Sequence, residues 1–248
     1  MKRIFTVLVG IFVVAQLFGQ TYYFSVSDNK RVVFSPGNLQ YNAMEGTHVC
    51  ADGTTKPGTW RFAEHQYDVV GDGNNSASAT YNGWIDKFSW GTSGYDGKNP
   101  WGTVPSFANE NVNISDTYYD WGIYNSISNG DNVWNWRTLS SSELITLMQR
   151  DNSWKGGRAY VDGKLSVIFI PDNADGWTSE GTYPRKWILK ADETIKFVSA
   201  LSWNGDRFWN TSKADSINVY TKEQWNLMEQ AGTILLPYAN TSDNTGKR

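Results

Sequence analysis

The sequence predicts an α+β fold with few helices and many short strands, and three observations carry that expectation. Two segments join a capping box to an apolar stripe at helical spacing, one opening at Ser140 and the other at Thr221. Two short apolar runs ending in proline, residues 166–171 and 233–237, suit strands buried on both faces. Between these, Gly, Asn, Asp, Ser and Pro interrupt the chain at short intervals, which leaves room for little beyond short strands and turns.

Taken in order, the N-terminus has the layout of a secretory signal peptide. Lys2 and Arg3 precede a mainly apolar run over residues 4–18, followed by Gly19 and Gln20. The run is shorter than the roughly 20 residues of a spanning helix, and no basic stop-transfer pattern follows. Cleavage after Gly19 is therefore expected, with an uncleaved anchor as the alternative. No cysteine stands at the cleavage site to carry a lipid. Residues 1–19 are read as the signal peptide and residues 20–248 as a single α+β domain.

The mature chain opens on a hairpin. Tyr22-Tyr23-Phe24-Ser25-Val26 and Arg31-Val32-Val33-Phe34 flank the polar turn at residues 27–30. Leu39-Gln40-Tyr41 begins a third strand that Thr59-Trp60-Arg61-Phe62 could pair with. Between them, residues 45–58 hold three Gly, one Pro and few apolar side chains, and read as an exposed loop tip. Residues 71–130 show little periodicity and are expected to be irregular structure packed by their own rings. One helical turn is expected at residues 81–88, where Trp84 and Phe88 stand four apart beside Ile85.

The first strong helix follows, with Ser140 and Glu143 as its capping box, Leu139 and Leu144 as a hydrophobic staple, and Leu144, Leu147 and Met148 as its stripe. The second repeats the device. Thr221 and Gln224 form the box, Tyr220 and Trp225 the staple, Trp225 and Met228 the stripe, and Gly232 the stop. Each helix precedes one of the proline-terminated strands.

Composition narrows the function classes. The chain has 22 basic and 25 acidic residues; without Lys2 and Arg3, 20 face 25, a formal charge of −5. Nucleic-acid binding needs clustered Lys and Arg to release counterions, and none are clustered here. No second apolar stretch could span a membrane. The single cysteine, Cys50, rules out an internal disulfide framework. Stability must come from a core built largely of rings, since 15% of residues are aromatic and each large ring buries about 150–250 Å².

Catalytic constellations are scarce. His48 and His65 are the two histidines. His48 lies two residues from Cys50, an awkward spacing for nucleophile and base, and Cys50 is expected to be an exposed, incidental thiol. His65 reads as a structural histidine. Two histidines and one cysteine do not make a closed zinc site. Calcium stays open, because Asp68, Asp72, Asn74 and Ser76, or Asp172, Asn173 and Asp175, cluster oxygens on turns. Neither set matches a calcium-loop motif, and both fit ordinary Asx turns. Aromatic richness points to sugar contact, since flat rings stack on sugar faces. The rings flanked by turn residues are Tyr95, Trp101, Tyr118, Tyr119 and Trp177, each a candidate for ligand contact or for core packing. Asp215-Ser216-Ile217 matches a short O-glycosylation acceptor, and Asn74, Asn113 and Asn210 begin Asn-x-Ser/Thr triplets.

Several blocks resemble, together, a family of secreted Bacteroidetes proteins. They are Phe24-Ser25-Val26-Ser27, Val33-Phe34-Ser35-Pro36-Gly37-Asn38-Leu39-Gln40-Tyr41, Thr59-Trp60-Arg61-Phe62-Ala63-Glu64, Gly83-Trp84-Ile85-Asp86, Phe88-Ser89-Trp90-Gly91-Thr92-Ser93-Gly94-Tyr95, Asp120-Trp121-Gly122 and Trp136-Arg137-Thr138-Leu139. The family is similar to the Fibrobacter major paralogous domain and to the formylglycine-generating-enzyme branch of C-type lectin-like folds. The resemblance implies a loop-rich α+β scaffold that displays a binding surface. It does not imply formylglycine-generating activity, which relies on cysteines, because Cys50 lies outside any matching motif. The family continues past the strand at residues 232–237 with a segment rich in Gly, Tyr and Trp-Ser-Ser. Here a polar tail at residues 240–247 follows, so the C-terminal part of the domain is expected to be missing.

The expected function is a secreted or cell-surface recognition or adhesion module, non-catalytic, without a cofactor, and with a glycan or protein as partner. A carbohydrate-active enzyme using an acidic pair and a structural component of a surface assembly are the alternatives.

Overall fold

β-Branched and aromatic side chains at alternate positions set the strands, and Gly and Asn set the breaks between them. The computed structural model describes residues 22–101, 113–130, 134–148, 155–181, 185–199 and 218–237. The expected signal peptide, Asn210, the triplet at residues 215–217 and the tail at residues 240–247 lie outside these. In chain order the elements are β1 (Phe24–Ser27), β2 (Lys30–Val32), β3 (Leu39–Val49), β4 (Thr55–Phe62), α1 (Trp121–Tyr124), α2 (Ser141–Met148) and β5 (Gly156–Val161). They continue with β6 (Lys164–Phe169), β7 (Trp177–Glu180), β8 (Lys186–Leu189), β9 (Asp192–Val198), β10 (Asn218–Tyr220), α3 (Lys222–Gln230) and β11 (Ile234–Pro237). Short 3-10 turns lie at Gly71–Ser76 and Tyr95–Gly97. The fold is α+β and loop-rich, with few helices and many short strands in small sheets.

The chain divides into two compact units. Unit I takes Met1–Phe34 with Glu143–Arg248, and unit II takes Ser35–Ser142.

Unit I is built on a four-stranded sheet in the order β10-β5-β6-β11, with β10 parallel to β5 and the other pairs antiparallel. The two proline-terminated runs are thus joined: Leu235 faces Ile168 across the β6–β11 ladder. Ile168, Phe169, Ile170 and Leu235 are buried, as a continuous apolar run predicts. A separate antiparallel meander, β7-β8-β9, buries Trp177, Trp187, Leu189, Ile195 and Phe197. Asn218 stitches the two sheets. Its Nδ2 donates to the carbonyls of Arg158 (2.9 Å) and Val198 (3.2 Å), and its Oδ1 accepts from Val198 N (2.8 Å).

The β1–β2 hairpin forms as expected, pairing Phe24 with Val32 around Asp28 and Asn29. Asp172 and Asn173 hold it: Asp172 Oδ2 accepts from Ser25 N (2.6 Å) and Asn173 Oδ1 from Tyr23 N (3.2 Å). One oxygen of each of these two residues, from the set that left calcium open, thus serves a backbone donor of the hairpin. α2 presents Leu147 inward, and its buried Glu143 pairs with Lys30 Nζ at 2.8 Å. α3 carries the expected capping box, with Thr221 and Gln224 exchanging bonds. It ends in a Schellman motif, because Gly232 N donates to Glu229 O (2.8 Å) and Thr233 N to Met228 O (3.0 Å).

Unit II is organised by the β3–β4 hairpin; the two segments pair as expected, and the structure sets their register, with Leu39 opposite Phe62 and Tyr41 opposite Trp60. Its core gathers Tyr41, Trp60, Phe62, Ile85 and Ile127, with Phe88, Trp101, Trp121 and Trp136 packed against them. Most of the rings meet at tilted or edge-on angles, as between Trp60 and Phe88 (5.2 Å) and between Phe62 and Trp136 (4.9 Å). The buried indole N–H of Trp60 has no partner among the described residues. That costs about 1–3 kcal/mol, against about 5 kcal/mol from removing about 200 Å² of ring from water, so filling the core outweighs the orphaned donor.

Three expectations are corrected in unit II. Residues 45–58 do not form a loop tip: β3 runs on to Val49, β4 begins at Thr55, and the turn between them is closed by Cys50 N donating to Thr54 O (2.8 Å). The inward positions of this extension belong to His48 and Cys50, so it lacks the apolar alternation that marks a strand. Cys50 is accordingly buried, with no exposed surface, and not an exposed thiol. Residues 81–88 form no helical turn. Ile85 makes a β-bridge to Tyr41, with both backbone bonds at 2.9 Å. Asn74 Oδ1 holds the next two amides, of Asp86 and Lys87, at 2.9 Å each, so tertiary partners keep the segment extended.

Gly232 and Gly163 both have positive φ, at 78° and 74°. A Cβ at Gly232 would lie 2.1 Å from the Tyr22 ring, whereas one at Gly163 would meet nothing within 4 Å. Gly163→Ala is expected to cost about 1–2 kcal/mol of left-handed strain, and Gly232→Ala clearly more, because Tyr22 must move as well. Urea midpoints of the two variants check the difference; equal losses would show that the Tyr22 contact is soft.

Candidate functional site

Three of the five rings singled out by sequence come together in unit II. Tyr95 is the hub. Its ring lies 5.3 Å from Tyr118, 5.1 Å from Tyr119 and 5.3 Å from Tyr124, each edge-on, and Tyr118 meets Tyr124 at 5.6 Å. Tyr124 is buried, Tyr95 and Tyr119 are half-buried, and Tyr118 is 40% exposed. The cluster thus runs from a buried base to an exposed ring, which isolated core rings do not do.

Two turns present it. Tyr95 sits where Gly94 (φ 92°) and Gly97 (φ 72°) flank Asp96, itself in the left-handed region at φ 52°. Tyr118 and Tyr119 follow Asp116, also left-handed at φ 63°, whose carboxylate lies 3.6 Å from Arg137 Nε. Ser93 joins the turns: its Oγ donates to Tyr118 O (2.6 Å) and accepts from Tyr95 N (3.2 Å). Desolvation, with Asp96 and Tyr95 beside it, holds the Tyr119 phenol above its ordinary value.

Beneath the rings, the β3–β4 hairpin supplies polar support. Lys56 Nζ donates to Gly94 O and stands 5.3 Å from the Tyr124 ring centroid. Tyr124 Oη donates to Asp52 Oδ2 (2.9 Å), and burial pushes that phenol upward. Thr54 bonds hold the Asp52 carboxyl below its usual range. Asn125 Nδ2 donates to Ser93 O and Trp121 O, both at 2.9 Å. Its Oδ1 faces His48 Nε2 at 2.8 Å and lies 3.9 Å from Cys50 Sγ.

His48, Cys50 and Asn125 are residue types that build thiol nucleophiles, yet the arrangement does not activate the sulfur. Burial pushes the Cys50 thiol up, where a nucleophile needs it lowered. His48 spends its nitrogens on Gly58 O and Asn125 Oδ1, so neither is directed at Sγ as a base would be.

The other two candidate rings lie elsewhere. Trp101 is half-buried and stacks on Tyr41 at 6.0 Å and 25°, as part of the unit II core. Trp177 is in unit I, 4% exposed on β7, and turns no face to solvent. His65 stacks on Tyr67 at 4.9 Å. Among the described residues no group of three or more His, Cys, Asp or Glu is placed to hold a metal ion, and no helix is long and apolar enough to cross a membrane. Of the other oxygen-rich set, Asn74 bonds across to Asp86: its Oδ1 accepts from Asp86 N and Lys87 N, its Nδ2 donates to Asp86 Oδ1 (2.8 Å), and Asp86 Oδ2 accepts from Val70 N (2.7 Å). Reading by sequence did not single out Tyr124, Asn125, Lys56 or Ser93; Ser93 entered only within the block Phe88–Tyr95, and the Asp120-Trp121-Gly122 block marked the cap that starts α1 and so leads to Tyr124 and Asn125.

Asp120 is that cap. It is buried, and its carboxylate accepts from Gly122 N (3.2 Å) and Thr138 N (2.7 Å). Desolvation nevertheless raises it to about 6. A folded value above the unfolded one gives stability that is complete below about pH 4 and lost as pH rises through about 6. In Asp120→Asn that loss should vanish from thermal melts between these limits, while the baseline falls by about 1 kcal/mol because Nδ2 cannot accept from Thr138 N. A persisting slope would place the titration elsewhere. No family model, curated protein or solved structure matches this chain.

Proposed function

We propose that the chain is a secreted or cell-surface recognition or adhesion module, non-catalytic, which binds a glycan or a protein through the Tyr95, Tyr118 and Tyr119 cluster. The observation that carries this is the convergence of these rings on two strained turns, with Tyr118 40% exposed and Tyr124 closing the base. Aromatic faces with hydroxyl tips suit ligands that are apolar on one side and polar on the other, as pyranose rings are. Strained backbone persists where surrounding contacts over-determine it, and such positions concentrate at binding sites.

The C-type lectin-like fold and the affiliation with secreted Bacteroidetes proteins belong to the same proposal. Support comes from the blocks around Phe34, Trp60, Ser93 and Trp121, and from the loop-rich α+β architecture. The quoted blocks supply the floor of the cluster: Ser93 and Tyr95 come from one, and the Asp120 cap from another.

The test is an array of glycans and surface proteins probed with residues 20–248. Binding should fall at least tenfold in Tyr118→Ala, with a stability loss within about 1.5 kcal/mol because the ring is partly exposed. Binding unaffected by that change moves the site off the cluster. Hydrolysis of a polysaccharide by the wild-type chain would favour a carbohydrate-active enzyme instead.

A further inference from the structure

His48 is buried in unit II with each ring nitrogen against an oxygen. Nδ1 lies 2.8 Å from the Gly58 carbonyl and Nε2 lies 2.8 Å from Asn125 Oδ1. The identity of the Asn125 atom follows from its other contacts. The opposite end of the amide faces two backbone carbonyls, of Ser93 and Trp121, and two acceptors require the NH₂ group there. The amide oxygen therefore faces His48. A neutral imidazole has one N–H and one lone pair, so it can satisfy one of these two acceptors; the imidazolium satisfies both.

What hangs on this ring is the tyrosine cluster. Asn125 Nδ2 holds Ser93 O, and Ser93 Oγ bonds Tyr118 O and Tyr95 N. Proton, imidazole, amide, serine and the two tyrosine turns form one connected path inside unit II. Asn125 is also bridged through its backbone to Cys50, so its position is set from the same hairpin.

The groups around the ring are few. Tyr41 of β3 and Trp60 of β4 meet it edge-on, at 6.3 and 6.4 Å. Lys56 of β4 is the charged group acting on it, and opposes protonation. The Cys50 thiol shares Asn125 Oδ1. Asp52 is engaged by Thr54 and Tyr124, and Asp120, at the start of α1, by Gly122 and Thr138. Both nitrogens are thus met by neutral oxygens, and the proton is held by geometry without a carboxylate partner.

We propose that His48 is a proton-operated latch for the tyrosine cluster: one proton taken from solvent completes its second hydrogen bond and ties Asn125, and with it the Ser93–Tyr95 turn and Tyr118, to the β3–β4 hairpin. The order of the cluster then rises as pH falls. Burial works against that proton and the two carbonyls work for it. Burial is the larger effect, which sets the transition below the ordinary histidine value. The assignment of the latch to a ligand site rests on the recognition reading; the latch itself does not.

The test needs no ligand, so its failure is separate from a failure of the binding array. The ¹⁵N-labelled protein is titrated from about pH 7.5 to about pH 4.5, and the two histidine rings are distinguished by His65→Gln. The expected result is that the His48 ring passes from one bound proton to two. The amides of Ser93, Tyr95 and Tyr118 should shift with the same midpoint and exchange at least several-fold more slowly on the acid side. His48→Gln should remove that common midpoint. Ser93→Ala, which leaves the histidine untouched, should let the ring titrate while Tyr118 no longer follows. A ring that keeps one protonation state throughout, or that titrates in the wild-type protein without moving those amides, overturns the proposal.

Discussion

Backbone amides and carbonyls that leave water must be hydrogen-bonded, and in a chain with this little helix and ladder that requirement falls on side chains. Asparagine meets it repeatedly. Asn129 offers Oδ1 to Phe62 N at 2.7 Å and Nδ2 to Phe62 O at 2.9 Å, so its amide takes the place a neighbouring strand would occupy. Asn38 closes on the carbonyls of Gln66 and Asp68, Asn74 on the amides of Asp86 and Lys87, and Asn218 on both sides of a junction between two sheets. Each of these amides has a donor and an acceptor in fixed positions, as a peptide group has, and can therefore stand in for one. Irregular backbone packs in the interior because these residues complete it.

The aromatic residues act on that framework. With one cysteine and no disulfide, the interior is stabilised by large rings, which fill uneven space between turns better than short aliphatic side chains do. Tyr41 shows how the two devices combine. Its ring packs against Trp60 at 4.7 Å, its hydroxyl donates to Pro57 O at 3.0 Å, and its backbone bridges Ile85. Burial pushes its phenol up to about 12. Gly58 is needed beside it, because at φ 87° a Cβ would lie 2.3 Å from the Tyr41 hydroxyl.

The same logic produces the tyrosine cluster. Core packing ends there with a ring that stays partly in water, and the turns that carry it are fixed from below by Asn125, Ser93 and Lys56 rather than by regular structure. The proposed latch depends on this arrangement, since among the described residues no ladder holds these turns. In that proposal a single buried imidazole bears on rings it does not touch, through Asn125 and Ser93.

Local signals were sufficient wherever a feature depends on neighbours in the chain. The β1–β2 hairpin, the start and stop of α3, and the apolar strands β6 and β11 all rest on side-chain alternation, capping or turn residues within a few positions. The tertiary structure decided the features that join distant residues of ambiguous type. It extended β3 through His48 and Cys50, whose polarity hides the strand; it drew Ile85 to Tyr41 where spacing suggested a helix; and it paired β10 in parallel with β5. It also brought Tyr95, Tyr118 and Tyr119 together while burying Trp177 on β7. A ring flanked by turn residues has the same local appearance whether its face ends in solvent or against another strand, because its exposure is set by partners tens of residues away.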